Sequence, residues 1–385
     1  MVEPAPPRSD SRPAGRSRVA LAHDWLVGLR GGELVLDRIA RVVRERFDPA
    51  GLWTMFDDGR PLTPAIDGLS KHVSALNRYP AGARRWLLAR YPAAVRELSR
   101  DLARAHAERP IDLVVSTSSA AIKGLEPPPG VAHLCYCHAP ARYLWGQRRE
   151  YARGSVLRRA GLTAFGPSLR AWDVRTAASV TRFLANSTHT ADEIRRVYGR
   201  DADVVHPPVR AGYFTPDPNV EREDFWVVAG ALEPYKRTDL AIGAAIRADR
   251  RLIVVGDGSE STRLRRIARN VHGIEFLGRV PDDRLRDLYR RARCLIHPQV
   301  EDFGIIAVEA QACGCPVVAL RAGGALDTVR GGVTGVFFDE QTPDAIGRAA
   351  GACPADAAAC RAHAETFGED RFDARITKIF GEMWN

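Results

Sequence analysis

The sequence predicts an α/β protein built on parallel sheets and divided into two domains. Three observations carry this. Short apolar runs such as Ala292 to His297 and Val317 to Leu320 have the length and composition of strands buried on both faces. Between those two lies a helical run, Ile305 to Ala312, stopped by Gly314 and Pro316, so the unit is strand, loop, helix, strand. The same alternation recurs along 385 residues, a length that suits two or three domains.

The elements follow in order. Met1 to Ser17 is rich in Pro, Arg and Ser without an apolar core, which predicts a disordered tail rather than a secretory signal. Arg18 to Ala22 is a strand, and Gly28, Gly31 and Gly32 precede an amphipathic helix from about Glu33 to Arg46. A glycine turn between strand and helix brings backbone N–H groups close to a phosphate or sugar. Asp24 stands just past the strand, where it either contacts a substrate or caps the loop. Lys71 to Ala107 reads as one or two amphipathic helices, with Arg84, Arg85, Arg90, Arg96, Arg100 and Arg104 beside Trp86, Leu87 and Leu88. That pattern fits a solvated face or a dock for anionic lipid.

Ile111 to Ser116 and Val131 to Cys137 are further strands, and His138 stands at the end of the second, fixed by Pro140. Thr181 to Leu184 leads through Asn186 and Ser187 into a helix that starts near Thr190 and ends at Gly199. The stiff segment Val204 to Val209 places the domain boundary at about Pro208. Four strands are expected beyond it, Phe225–Gly230, Arg251–Gly256, Ile274–Leu277 and Ala292–His297, before the helix Ile305 to Ala312. Lys236 and Arg237 are expected to open a helix running to Arg247, where two cations oppose the macrodipole unless an anion binds there. Asp282 is expected to cap the next helix. Gly323-Gly324 and Asp327 form a turn, Gly331 to Phe338 a hairpin-like segment, and Arg371 to Trp384 the last helix.

Composition narrows the classes of partner. Apolar residues make up 45% and charged residues 27%, and the formal net charge of +9 favours an anionic partner. Basic and aromatic residues do not interleave as in nucleic-acid binders, so no nucleic acid is expected. Seven dispersed cysteines, without paired histidines, read as buried thiols in a reducing compartment. No apolar run is long enough for a transmembrane helix, and the expected location is the cytoplasm, with peripheral contact to the membrane face kept open.

The chemistry concentrates between Pro298 and Pro316, where Glu301 and Glu309 stand eight residues apart. On one helix that spacing gives a separation of about 12 Å and a turn of about 80°, a poor geometry for two carboxylates sharing a glycosidic bond. The better arrangement puts Glu301 in the loop and Glu309 on the helix, with Phe303, Gly304 and Ile305 at the helix entry. Such a loop belongs at the crevice outside the strand ends.

This Glu-x7-Glu segment resembles that of the GT4 retaining glycosyltransferases, which have the GT-B fold of two facing Rossmann-like domains. The resemblance runs from about Arg18 to about Asp339, and the Arg-Tyr-x-Trp that follows His138 resembles the mannosyltransferase-like branch. It implies an acceptor domain over 18–208, a donor domain over 209–365 and a helix over 366–385 that crosses back. It further implies that Lys236 meets the donor diphosphate with Arg237 beside it, and that Gly31 and Gly32 lie near both substrates. Glu309 would take the ribose hydroxyls and Glu301 the transferred sugar. Phe303, Gly304 and Ile305 would line the sugar and phosphate pocket. Arg279 and Val280 would lie near the base, and His138 would meet the sugar. Asp24, Arg142 and Trp145 would shape the acceptor side. The family often has Arg five residues before Lys236, where this chain has Ala231, and Glu where it has Asp327.

The expected activity is metal-independent, cofactor-free transfer of a hexose with retention. GDP-mannose is favoured as donor and a saccharide or lipid-linked molecule is the acceptor. A UDP-sugar donor, a non-catalytic nucleotide-sugar binding subunit and a GT-B phosphorylase or epimerase stand as alternatives.

Overall fold

The computed structural model describes residues 16–146, 156–354 and 356–384. Most of the tail expected at residues 1–17 lies outside the described residues, as does the side chain of Arg85.

Strands β1 (Arg18–Leu26), β2 (Asp48–Asp57), β3 (Lys71–Val73), β4 (Leu113–Ser118), β5 (Ala132–Cys137), β6 (Arg182–Ala185) and β7 (Ala202–Val204) form the first sheet. Its order is β3-β2-β1-β4-β5-β6-β7, with every pairing parallel. The second sheet takes β8 (Phe225–Ala229), β9 (Arg251–Val255), β10 (Ile274–Gly278), β11 (Cys294–His297), β12 (Val317–Leu320) and β13 (Gly335–Phe338). Its order is β10-β9-β8-β11-β12-β13, again parallel throughout. Both sheets are doubly wound, and in both the direction of strand addition reverses once, between β1 and β4 and between β8 and β11. Ligands of such sheets bind at the carboxyl ends of those switch-point strands.

Burial on both faces explains the strand composition: β4 and β11 are buried at every residue, as a parallel sheet covered by helices requires. The final helix, Glu369–Glu382, places Phe372, Ile376, Ile379 and Phe380 among Val19, Leu21, Val35 and Ile39 of the first domain. Burying such side chains is worth about 1.5–3 kcal/mol each before entropy is charged, so the chain end is a structural part of the first domain. Next to that crossing the amide of Val209 donates to Phe367 O at 2.9 Å, and the two inter-domain passages of the chain are stitched together.

Several expectations need correction. Residues 48–57 form a strand that the sequence reading passed over. The stretch Lys71–Ala107 is a short strand, three 3-10 turns and one long helix, Tyr91–Glu108, that buries Tyr91, Ala94, Val95, Leu98 and Leu102. Lys236 closes a 3-10 turn rather than opening a helix. Arg237 caps the helix Thr238–Arg247 in the left-handed region, at φ 51°. Pro281, not Asp282, is the cap of Asp282–Arg291. The segment expected to be a hairpin adds β13 parallel to β12. Among the described residues no helix is long and apolar enough to cross a membrane.

Candidate functional site

The site is built where the two switch points face each other. On the second domain, β11 ends at His297 and the chain turns through Pro298–Gly304 into the helix Ile305–Ala312. Gly304 caps that helix at φ +92°, a region that other residues enter only with strain. A Cβ there would also lie 3.3 Å from His297 Nε2 and 3.5 Å from Glu301 Oε2. Beneath the loop, Gly324 N–H donates to Glu301 O at 2.8 Å, and a Cβ on Gly324 would stand 2.4 Å from the Cα of Phe303. The loop is therefore held from below by a turn with no room for side chains.

Within this frame Glu301 meets Lys236 and Gln299. The Lys236 ammonium pairs with its Oε1. Gln299 donates one amide contact to that same oxygen and another to His297 Nδ1, each at 3.2 Å. Burial and the neighbouring Lys236 cation push His297 down to about 3, so its ring is neutral and orients Gln299 rather than carrying charge. Burial and the Arg142 cation lower Lys236 to about 8, opposed by the Asp302 carboxylate.

Glu309 occupies a different environment. It lies inside the helix with 8% of its side chain exposed, and its cation is Arg210, 3.5 Å away. Arg210 is held in turn by Asp282 at 2.6 Å. Burial pushes the Glu309 carboxyl up to about 7, opposed by Arg210.

On the first domain the helix Gly31–Arg46 begins at the two glycines themselves, with Glu33 accepting from the Arg30 amide at 3.2 Å. A Cβ on Gly31 would meet Ile305 Cδ1 across the crevice at 3.3 Å, and one on Gly32 would meet His138 Nε2 at 3.5 Å. His138 Nε2 is shielded from water and makes no hydrogen bond among the described residues. Burial, His23 and Arg142 push His138 down to about 3, leaving a neutral ring that can donate or accept. Its neighbour His23 contacts Thr117 Oγ1 at 2.6 Å. Among the described residues no group of three or more His, Cys, Asp or Glu is placed to hold a metal ion.

The loop residue Asp302 and, further on, Asp327 carry the contacts to the first domain. Arg142 pairs with Asp302, and Ser187 donates its hydroxyl to Asp302 O. The Asp327 carboxylate accepts from Thr188 N at 2.7 Å and lies 3.1 Å from His206 Nε2.

The structure brings together Gly31, Gly32, His138, Lys236, Glu301, Gly304 and Ile305, and sets other expected residues apart. Asp24 accepts four backbone N–H bonds of 2.6 to 2.9 Å from Ser119, Ala120, Ala121 and Ile122. Both oxygens are consumed in capping a turn, not in an acceptor contact. Trp145 donates to the buried Asp173 at 2.7 Å and so braces the first domain. Phe303 is 4% exposed and packs against Phe367 and His206, inside the core rather than in the sugar pocket. Arg237 is turned onto Asp239 at 3.2 Å, Arg279 is exposed, and Val280 packs on the second core. His23, Arg210, His297 and Gln299 were missed. A strand-end position marks His297, but nothing in the spacing marks Arg210.

Comparison with known proteins bears on the fold and the family domains. Residues 29–212 match the model for Glycosyltransferase Family 4 and residues 214–352 that for Glycosyl transferases group 1. A D-inositol 3-phosphate glycosyltransferase of Acidothermus cellulolyticus is 36% identical over 205 residues, 44% of this chain and 46% of that protein. One of Streptomyces bingchenggensis is 31% identical over 242 residues, 52% of each. The matched stretch spans about half the length of these relatives. Sucrose-phosphate synthase from Thermosynechococcus elongatus superposes with a TM-score of 0.73 at 16% identity, covering 96% of this chain and 99% of that one. HepE of Anabaena, solved in complex with UDP, superposes at 0.69 and 18% identity, covering 95% and 100%. At such identities the likeness establishes the fold, which is GT-B.

Proposed function

We propose that this GT-B chain, whose two halves carry glycosyltransferase family domains, moves a hexose from a nucleoside diphosphate sugar to an acceptor hydroxyl with retention of anomeric configuration. One observation supports this most: Lys236, Glu301 and the Gly304 helix entry face the Gly31-Gly32 helix entry and His138 across the crevice between the two switch points. A diphosphate carries more charge than one carboxylate, so it draws the Lys236 ammonium away from Glu301. Glu301 is then free to accept from sugar hydroxyls, while Glu309 accepts from the vicinal diol of the ribose. The bond from the anomeric carbon to the phosphate oxygen breaks, and the acceptor oxygen bonds on the same face. The acceptor's proton passes to the departing phosphate. Lys236 and the N-terminal N–H groups of the helices at Gly31 and Gly304 stabilise that leaving anion, in the place a divalent ion would otherwise take. Neutral His138, its Nε2 unpaired, serves a sugar hydroxyl.

GDP-mannose is the donor that the Arg-Tyr-x-Trp segment favours. A UDP-sugar is the second reading, favoured by HepE, whose solved complexes contain UDP and UDP-glucose. The acceptor is a saccharide or a lipid-linked molecule, and the 54% exposed Trp86, with the exposed Arg96 and Arg100 of the following helix, is the expected membrane-facing segment. The test is donor hydrolysis and transfer with GDP-mannose, UDP-glucose and dTDP-rhamnose, with and without EDTA, the anomer of the product read by NMR. Turnover that survives EDTA and retains configuration supports the proposal. Nucleotide binding without turnover of any donor, over a panel of sugar acceptors, would leave a binding subunit instead.

A further inference from the structure

We infer that Arg210 is a positioning residue for Glu309 that makes the site selective for ribonucleoside over 2′-deoxyribonucleoside diphosphates. The inference rests on the reading of Glu309 as the ribose acceptor and names what that role requires.

The geometry is specific. Arg210 lies two residues past the domain boundary, on the segment pinned by the Val209–Phe367 hydrogen bond. Its guanidinium runs over the rings of Phe214 and Tyr213, at 5.2 Å and 5.4 Å from their centroids. One end bonds Asp282 at 2.6 Å and the other stands 3.5 Å from Glu309 Oε1. Asp282 and the stacked rings fix the guanidinium, and the guanidinium turns the carboxylate. A planar fork held at one end and stacked on a face is a poor place for lysine.

The groups that face Glu309 explain why it needs this partner. Arg210 comes from the linker, Asp282 and Tyr289 from the helix Asp282–Arg291, and Cys313 from the end of its own helix. Arg210 is the one cation in that set, and Asp282 opposes ionisation. Even with Arg210 in place, burial holds the carboxyl up at about 7, so without that cation it is pushed higher still. A protonated carboxyl has lost its charge and turned one oxygen into a donor, so it accepts more weakly from the two hydroxyls of a diol, and the loss of Arg210 weakens the ribose contact at neutral pH and spares the diphosphate contact.

The experiment is calorimetric titration of the full chain with UDP and GDP, their 2′-deoxy counterparts and inorganic pyrophosphate, at pH 6, 7 and 8.5. In the wild type the ribonucleotide is expected to bind about tenfold more tightly than its deoxy form, the scale of one hydrogen bond to a charged group. Arg210→Met should bring that ratio close to one at pH 7, restore part of it at pH 8.5, and leave pyrophosphate binding unchanged. Arg210→Lys keeps the charge and loses the fork, so it should keep the wild-type pH profile with a smaller ratio. It carries the test if the Met variant does not fold. A ratio that stays at the wild-type value in both variants at every pH would overturn the inference and leave a merely structural ion pair. A wild type that binds ribo and deoxy forms equally would remove the ribose reading itself, and the inference with it.

Discussion

Glu301 and Glu309 are the same residue type eight positions apart, yet the fold gives them opposite surroundings. Glu301 lies in a loop with 15% of its side chain exposed, paired with Lys236 from its own domain and steadied by Gln299. Glu309 is set into a helix with 8% exposed, and its partner Arg210 comes from the inter-domain linker. In the proposed reaction the loop carboxylate exchanges its cation for substrate, because Lys236 has a flexible stem and a donor phosphate to move to. The helix carboxylate cannot move, so its usefulness depends on being held ionised. The spacing therefore creates two sites with separate physics, one governed by charge exchange and the other by burial.

That contrast can be broken in graded ways. The largest effect is expected from Lys236→Met, which leaves Glu301 without its cation and the diphosphate without its clamp. Transfer should fall by about 10³-fold, the scale of removing one charged stabiliser of a leaving anion. Initial-rate kinetics would show it, and wild-type rates would disprove the assignment of Lys236.

Glu309→Gln should have a double signature. The carboxyl sits near 7 in the folded chain and at about 4.3 when unfolded. Between those values the folded state holds the extra proton, so stability falls as pH rises from about 4.3 to about 7 and stays low above. A neutral amide removes that penalty. The variant should unfold later than the wild type at pH 8, by up to about 3.5 kcal/mol at 1.36 kcal/mol per unit, and show no gain at pH 4. Denaturant melts at the two pH values check this, and equal midpoint shifts at both would contradict the buried, half-neutralised carboxyl.

Gly304→Ala is expected to cost about 1–3 kcal/mol, because it combines a left-handed φ with a Cβ packed against His297 and Glu301. A thermal melt reads the cost, and donor affinity should fall with it as the Glu301 loop shifts. The smallest effect belongs to Arg142→Ala. That side chain is 38% exposed, and breaking its contact with Asp302 should change stability by less than about 1 kcal/mol. A larger loss would mean that the domain contact, rather than the loop and its glycines, holds Glu301 in place.

Much of this was legible in the sequence, for reasons that differ by residue. Strands buried on both faces stand out as apolar runs, so most of both sheets and the Glu301 loop could be read directly. Residues 48–57 escaped because Asp48 and Pro49 at the start of the run look like a turn. Asp24 was ambiguous in principle: a carboxylate at a strand end can bind substrate or backbone, and only the four converging N–H groups decide it. Phe303 sits between Asp302 and Gly304 like a ligand-lining residue, but the turn at Gly323-Gly324 draws it into the core. Arg210 could not be found, because its value comes from Glu309 and Asp282, distant in sequence and joined to it by the sheet order alone.

The measurement that bears most directly on the central claim compares nucleotide and pyrophosphate binding in wild type and in Glu309→Gln and Lys236→Met. The account predicts that Glu309→Gln loses affinity for UDP or GDP by about 10–100-fold while keeping pyrophosphate, and that Lys236→Met loses both. If Glu309→Gln bound nucleotides as the wild type does, or if both variants lost pyrophosphate alike, the two carboxylates would not serve separate parts of one donor.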